Sequence, residues 1–198
     1  MGIVRISDKI RCIEASDDPL SADIGIIDSG DGVWLYDVGN GAESISSLKS
    51  EYNVVLSHFH TDHTGNIGRI RARCIYSSRE TREHIHDGVT VDGELRVGEM
   101  RIFTLPSCHA KGCLGLEVGE MYAFVGDALY CRVRDGFCIY NAQLLRDEIK
   151  VLEALRAPYL LVSHLKGMIR EKADALDELR KIYGMRDKCS AEIRIPIK

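Results

Sequence analysis

Polar and apolar positions fall into short blocks along the first two thirds of the chain. Residues 3–6, 10–14 and 23–28 are strand-length runs rich in β-branched side chains. Ser29-Gly30-Asp31-Gly32 separates the third run from residues 33–37, which predicts a hairpin over 23–37. Residues 42–50, with Ile45 and Leu48 three apart, predict a short helix. Residues 53–57 are nearly all apolar and read as a buried strand. Beyond them, residues 66–73 predict a short basic helix and 74–76 a strand. Ser77-Ser78 is placed to cap a helix over 79–86. Two short strands are expected around Asp92-Gly93, followed by strands at 100–105, 112–118 and 121–125.

After Asp127 the period changes. Leu144, Leu145, Ile149, Leu152 and Leu155 make a helical stripe over 142–157, which Pro158 stops. A strand at 159–163, a second amphipathic helix at 171–183 and an edge strand at 193–197 complete the prediction. The order is strands, one or two helices, more strands, more helices. Two sheets covered by helices would bury such a set in a single α/β domain spanning residues 1–198.

Composition narrows the class. Of the 198 residues, 45% are hydrophobic and 28% charged, so the chain can bury a core and is not a disordered segment. The net charge of −4 offers no general attraction to nucleic acid or anionic lipid. Seven cysteines, an odd number without a C-x-x-C, argue against a disulfide framework and for reduced thiols. Charged residues are scattered through the first twenty positions and no apolar run reaches membrane-span length. The expectation is a cytoplasmic protein without membrane contact.

The seven histidines carry the chemistry. His58, His60 and His63 crowd with Asp62 into the string His58-Phe59-His60-Thr61-Asp62-His63, just past a predicted strand. Imidazole suits zinc and also iron or manganese. Four donors in six residues exceed what one catalytic ion with an open position needs, and they suit two adjacent ions. Three further candidates, His109, Asp127 and His164, each follow an apolar strand. Strand ends converging on one rim are a common way to build a site.

Taken together these pieces resemble the metallo-β-lactamase fold superfamily. The matching segments are HFHTDHTGN at 58–66, His109 in LPSCHAKGCLGL, Asp127 in FVGDAL, His164 in LVSHLKG, and Asp37 in the upstream LYDVGNG. The resemblance runs from about residue 20 to 184. It implies an αββα sandwich of two mixed sheets flanked by helices, with the site at one edge. It assigns His58, His60 and His109 to a first metal ion, and Asp62, His63 and His164 to a second. Asp127 would bridge the two, and Asp37 would orient ligands from behind. Two local departures stand out. Pro106-Ser107-Cys108-His109-Ala110 replaces the usual Pro-Gly-His-Thr and sets a thiol beside a ligand. Ser163-His164-Leu165 replaces Gly-His-Gly.

The implied cofactors are two divalent ions, zinc before iron or manganese. Ions about 3.5–4 Å apart can share a hydroxide that attacks a polarised carbonyl or phosphoryl group. The expected activity is hydrolysis of a small ester or thioester, similar to short glyoxalase II-like enzymes, with Asp62 also shuttling a proton. The alternatives are a phosphodiesterase or nuclease of the same fold, a mononuclear iron dioxygenase acting on glutathione persulfide, and, last, a metal-binding domain without turnover. β-Lactamase activity is not expected, because such enzymes usually carry cysteine where Asp127 stands and are exported. A small-molecule substrate is the expected partner, nucleic acid is disfavoured, and a homodimer is allowed. His84 and His86, two apart on a helix, read as surface, as do Arg69, Arg71 and Arg73. Tyr140, Asn141 and Lys166 fall near the mouth of the site by sequence.

Overall fold

The computed structural model describes residues 2–187 and 189–197. Two mixed sheets face each other. The first has seven strands whose spatial order follows the chain: Ile3–Arg5, Ile10–Ile13, Ile24–Ser29, Gly32–Tyr36, Glu51–Val55, Arg71–Ser77 and Val89–Thr90. The second has six, also in chain order: Glu94–Val97, Met100–Thr104, Leu114–Val118, Tyr122–Gly126, Tyr159–Val162 and Ile169–Glu171. The predicted hairpin is present, with Ile27 opposite Trp34 and Ser29 opposite Gly32.

Strand alternation sorts side chains between three apolar layers. Trp34, Tyr36, Phe124, Leu114 and Leu161 fill the space between the sheets. Tyr36 and Phe124 stack there at 4.9 Å; full burial of side chains of this kind is worth about 1.5–3 kcal/mol each. The alternate residues Ala123, Val125, Leu160 and Val162 face outward, under the helices Ala142–Ala154 and Lys172–Gly184. Leu35, Val54 and Leu56 do the same on the first sheet, beneath Ile45, Leu48 and Ile85 of the helix Arg79–Ile85. The architecture is an αββα sandwich.

Several local predictions differ from what is observed. Residues 42–50 form turns rather than a helix. The hydroxyls of Ser44 and Ser46 donate to the carbonyls of Asn40, Gly41 and Glu43, which gives the backbone a non-helical arrangement to settle into. The basic helix at 66–73 reduces to one 3-10 turn, Ile67–Arg69. The chain then enters the strand Arg71–Ser77, where pairing with Glu51–Val55 outweighs helix propensity. On Ala142–Ala154 the buried stripe is Leu145, Glu148, Ile149 and Leu152, while Leu144 is exposed. A carboxyl thus sits on the buried face, and burial pushes Glu148 well above the usual range. A third sheet joins Arg132–Arg134, Phe137–Asn141 and Glu192–Pro196, the last at its edge as Pro196 requires. A small hairpin, Ser16–Asp17 with Leu20–Ser21, precedes the third strand of the first sheet.

Parallel pairing explains where the site lies. Gly32–Tyr36 and Glu51–Val55 run in the same direction, with Tyr36 beside Val55. Asp37 and Ser57-His58 therefore emerge on the same rim. In the second sheet Tyr122–Gly126 runs parallel to Tyr159–Val162, with Gly126 beside Val162, which places Asp127 next to the turn carrying His164. The Ser57 carbonyl accepts from Leu114 N at 2.8 Å and ties the two rims together.

Candidate metal centre

The rim collects seven donor side chains in two groups. His58, His60 and His109 form one, and Asp62, His63, Asp127 and His164 the other. Within each group, one donor atom per residue lies within 4.8 Å of all the others. His60 Nδ1 is 3.0 Å from His58 Nε2 and 3.1 Å from His109 Nε2. Asp62 Oδ2 is 3.1 Å from His164 Nε2 and 3.5 Å from His63 Nε2. Asp127 Oδ2 stands between the groups, 3.4 Å from His109 Nε2 and 3.4 Å from His63 Nε2. All seven residues singled out in the sequence are brought together, and Asp127 is the carboxylate that reaches imidazoles of both groups.

Local structure aims these side chains. A single helical turn, Thr61–Thr64, directs Asp62 and His63 inward. Gly65 follows because a Cβ there would lie 2.6 Å from Asn40 Oδ1 and 2.7 Å from the Thr61 carbonyl. Asn66 is buried and donates from Nδ2 to the carbonyls of Val38 and Gly41, fastening the motif to the loop after Asp37. Gly126 has φ +54, and a Cβ there would lie 2.9 Å from Ser57 Cβ, so a side chain would push Asp127 off the rim.

Behind the donors lies a network the sequence reading only partly contained. Asp37 is fully buried. Its Oδ1 accepts from Ser57 N, and its Oδ2 accepts from Ser57 Oγ and His63 Nδ1, all at 2.7 Å. Ser57 Oγ also lies 3.0 Å from His58 Nδ1. With both Nδ1 atoms occupied from behind, the Nε2 atoms of His58 and His63 are the ones aimed at the rim. In the sequence Ser57 is marked only as the end of a strand. Ser107, in the stretch that departs from the usual pattern, accepts from His109 N at 3.0 Å and donates to the Ala128 carbonyl at 2.9 Å. It ties the His109 loop to the segment after Asp127. Asp23 went unnoticed. Its carboxylate accepts from His164 N at 2.9 Å and Ala15 N at 3.0 Å, spanning 141 positions of sequence.

Other candidates fall elsewhere. The Cys108 thiol is tied to the Asn141 backbone, accepting from its N–H at 3.3 Å, and burial pushes it up to about 11. It faces the core under the helices rather than the metal donors. Tyr140 is buried in that same core. Asn141 caps the helix Ala142–Ala154 through Gln143 N and Leu144 N. Lys166 is exposed in the turn after His164. Arg73 pairs with Glu51 at 3.1 Å. His84 is exposed, and its ring stacks on Phe59 at 4.4 Å. His84→Ala is expected to leave bound metal unchanged and to cost less than about 1.5 kcal/mol of stability, the upper range for an aromatic pair. Metal analysis and urea unfolding of the variant check this.

The electrostatics divide the groups. Burial, followed by neighbouring imidazoles, holds His58 well below the ordinary histidine value. Burial also lowers His60 and His109. These three rings are neutral, the form that binds metal. In the second group, burial alone would strip the proton from His63, but Asp37 and Asp127 outweigh it and push the ring up to about 10. The hydrogen bond to Asp62 raises His164. Burial works to raise Asp62, yet the His164 hydrogen bond and the His63 charge hold it below the usual range.

The residues present fit a pair of divalent ions. His63 Nε2 and Asp127 Oδ1 are buried without a hydrogen-bond partner among the described residues, and a ligand bond to a metal would satisfy both. Three imidazoles with one carboxylate, beside two imidazoles with two carboxylates, are donor sets for zinc and also for iron or manganese. Loading must expel the His63 proton. Metal binding below pH ~10 is therefore expected to release protons, seen as binding heats that scale with buffer ionisation enthalpy. In chelated protein the charged His63 contributes stability that is fully present below its unfolded value near 6.5 and is lost as pH rises through about 10. Asp23→Ala would leave two backbone N–H groups unpaired, at about 1–3 kcal/mol each. It is also expected to weaken binding at the His164 side about 10–100-fold, read by chelator competition.

No protein-family model and no curated protein matches this sequence. Solved structures do. A B3 metallo-β-lactamase with an active-site glutamic acid superposes at TM-score 0.71 with 14% identity, covering 94% of this chain and 90% of its own. The DIM-1 metallo-β-lactamase gives 0.69 at 15% identity, with 92% and 96% covered. SMB-1 bound to 2-mercaptoethanesulfonate gives 0.68 at 13%, with 91% and 94% covered. The chain has the metallo-β-lactamase fold. Coverage of nine tenths on both sides means that the match takes in both sheets and the rim between them. At such identities the likeness concerns architecture, and the chemistry of this metallo-β-lactamase-fold chain has to be argued from its own side chains.

Proposed function

We propose that the chain is a metal-dependent hydrolase of a small ester or thioester. The observation that carries this reading is the pair of donor groups sharing Asp127, open toward solvent through half-buried His60, Asp62, His109 and His164. Two divalent ions bound there, most readily zinc, would supply a Lewis acid and an ionised water at neutral pH. The chain's own residues do the rest. Neutral His58, His60 and His109 present lone pairs without adding charge. Asp37 and Ser57 fix the rings of His63 and His58. Asp62 remains anionic at the mouth, within reach of His164 Nε2, and can accept a proton from the attacking water. No serine or cysteine nucleophile is called for, since Ser57 and Ser107 are committed to holding ligands and Cys108 to the Asn141 backbone.

The test is metal quantitation on purified protein, followed by four substrates: S-lactoylglutathione, a lactone, a bis-aryl phosphate and a cephalosporin. The expected result is two metal equivalents, with chelator-sensitive turnover of the thioester or the lactone. Turnover of the phosphate alone would replace this reading with a phosphodiesterase. One equivalent of iron with oxygen consumption on a persulfide would replace it with a dioxygenase.

A further inference from the structure

A pocket of about 370 Å³ lies on the seam between the two sheets, beside the donor groups. One wall comes from the edge strand Ile3–Arg5 and its continuation, through Val4 and Ile6. The other is the turn that carries His164, through Leu165 and Met168. His164 belongs both to this pocket and to the second donor group. A molecule reacting at the rim therefore has this concavity directly alongside. The volume falls within the range of sites for small organic groups.

The wall is apolar along its length and charged at its margin. Val4, Ile6, Leu165 and Met168 supply the apolar surface. Glu14, Asp17 and Lys166 supply charge, and none of the three has an ion-pair partner within 4 Å among the described residues, unlike Arg5 with Asp8 and Lys9 with Glu99. Asp23, also in the wall, spends its carboxylate on two backbone amides. Leaving aside His164, which belongs to the donor group, and Asp23, the available charge is two carboxylates against one ammonium, a balance that favours a cation.

We propose that this pocket is the subsite for the non-reacting arm of the substrate, and that it selects an apolar arm carrying an ammonium group. The proposal rests on the hydrolase reading of the adjacent centre and names the substrate class that reading leaves open.

The experiment compares three thioesters of one thiol, N-acetylcysteamine, whose acyl arms are hexanoyl, ω-trimethylammoniohexanoyl and ω-carboxypentanoyl. The cationic arm is expected to win over the neutral one by about fivefold in kcat/KM, through KM, the size expected of two solvent-screened charge contacts. The anionic arm should be poorest, and the preference should shrink with added salt. The double variant Glu14→Gln/Asp17→Asn should bring the cationic and neutral substrates within about twofold of each other. Equal kcat/KM values in the native protein, or a preference that survives the double variant, would overturn the proposal. If no thioester is turned over, the pocket is judged by binding, and the hydrolase reading fails only where the lactone is not cleaved either. Hexyltrimethylammonium should then shift the Met168 methyl resonance of chelated protein saturably, hexanol should do so more weakly, and the difference should vanish in the double variant. Equal shifts from both would overturn the subsite on its own.

Discussion

Asp127→Ala is expected to lower turnover by well over 100-fold and to reduce the metal content of the purified protein, while leaving the fold in place. Residues that merely support metal ligands already cost about 10–100-fold when removed, and Asp127 is more than a support. Its Oδ2 lies 3.4 Å from one imidazole of each donor group, and its Oδ1 is buried without a partner among the described residues. The other carboxylate, Asp62, reaches only His63 and His164 of its own group. The fold should survive, because the strand before it, Tyr122–Gly126, is held by backbone ladders to Leu114–Val118 and Tyr159–Val162 rather than by this side chain. The diagnostic measurement is the gain in Tm on adding metal to chelated protein, since a ligand of the folded state stabilises it by RT ln(1 + L/Kd), where L is the free ligand concentration. That gain should be large in the native chain and small in the variant, with similar Tm values when both are chelated. Native metal content and turnover in the variant would show that Asp127 is not shared between the ions.

The fold was legible in the sequence wherever short-range pattern decides structure. Hairpin punctuation at Ser29–Gly32, the Ser78 cap and the donors placed just after apolar runs are all local signals. At residues 42–50 the helical spacing of Ile45 and Leu48 is overridden, because serine hydroxyls there satisfy nearby carbonyls in another way. Glu148 carries no sequence sign of its burial, because a carboxyl on a helix reads as solvated until the partner layer is known. In the site, the donors were visible because H-x-H-x-D-H is dense and chemically specific. The residues that aim them were not. Ser57 serves Asp37 across 20 positions, Ser107 reaches Ala128 across 21, and Asp23 serves His164 across 141. A serine or aspartate at the end of a strand looks the same whether it bonds a turn amide or a distant ligand loop. The parallel pairing that brings such ends together has no signature within either strand.

Asp37 separates positioning from folding, and its two substitutions should behave differently. Asp37→Ala removes an acceptor of three 2.7 Å hydrogen bonds from a fully buried site, leaving Ser57 N–H and the His63 ring unpaired. Breaking a buried charged pair on one side typically costs about 3–5 kcal/mol. Alanine must also take the left-handed backbone that Asp37 occupies at φ 60, a region it tolerates less well than aspartate does. The variant should be strongly destabilised with or without metal. Asp37→Asn keeps the shape and one acceptor oxygen, so Ser57 N can remain paired. At the other position an NH₂ now faces Ser57 Oγ and His63 Nδ1. The hydroxyl can rotate to accept, but His63 Nδ1 must give up its proton to become an acceptor. The neutral ring then carries hydrogen on Nε2, pointed at the place where its lone pair is required. Metal affinity on the His63 side should therefore fall by about 10–100-fold, although chelated protein unfolds at a urea midpoint much closer to native than Asp37→Ala does. Metal titration with a competing chelator and urea unfolding of both variants make the comparison. If Asp37→Asn bound metal like the native chain, the ring orientation of His63 would have to be set by something other than Asp37. If both variants lost stability equally, the carboxylate would be serving the fold rather than the centre.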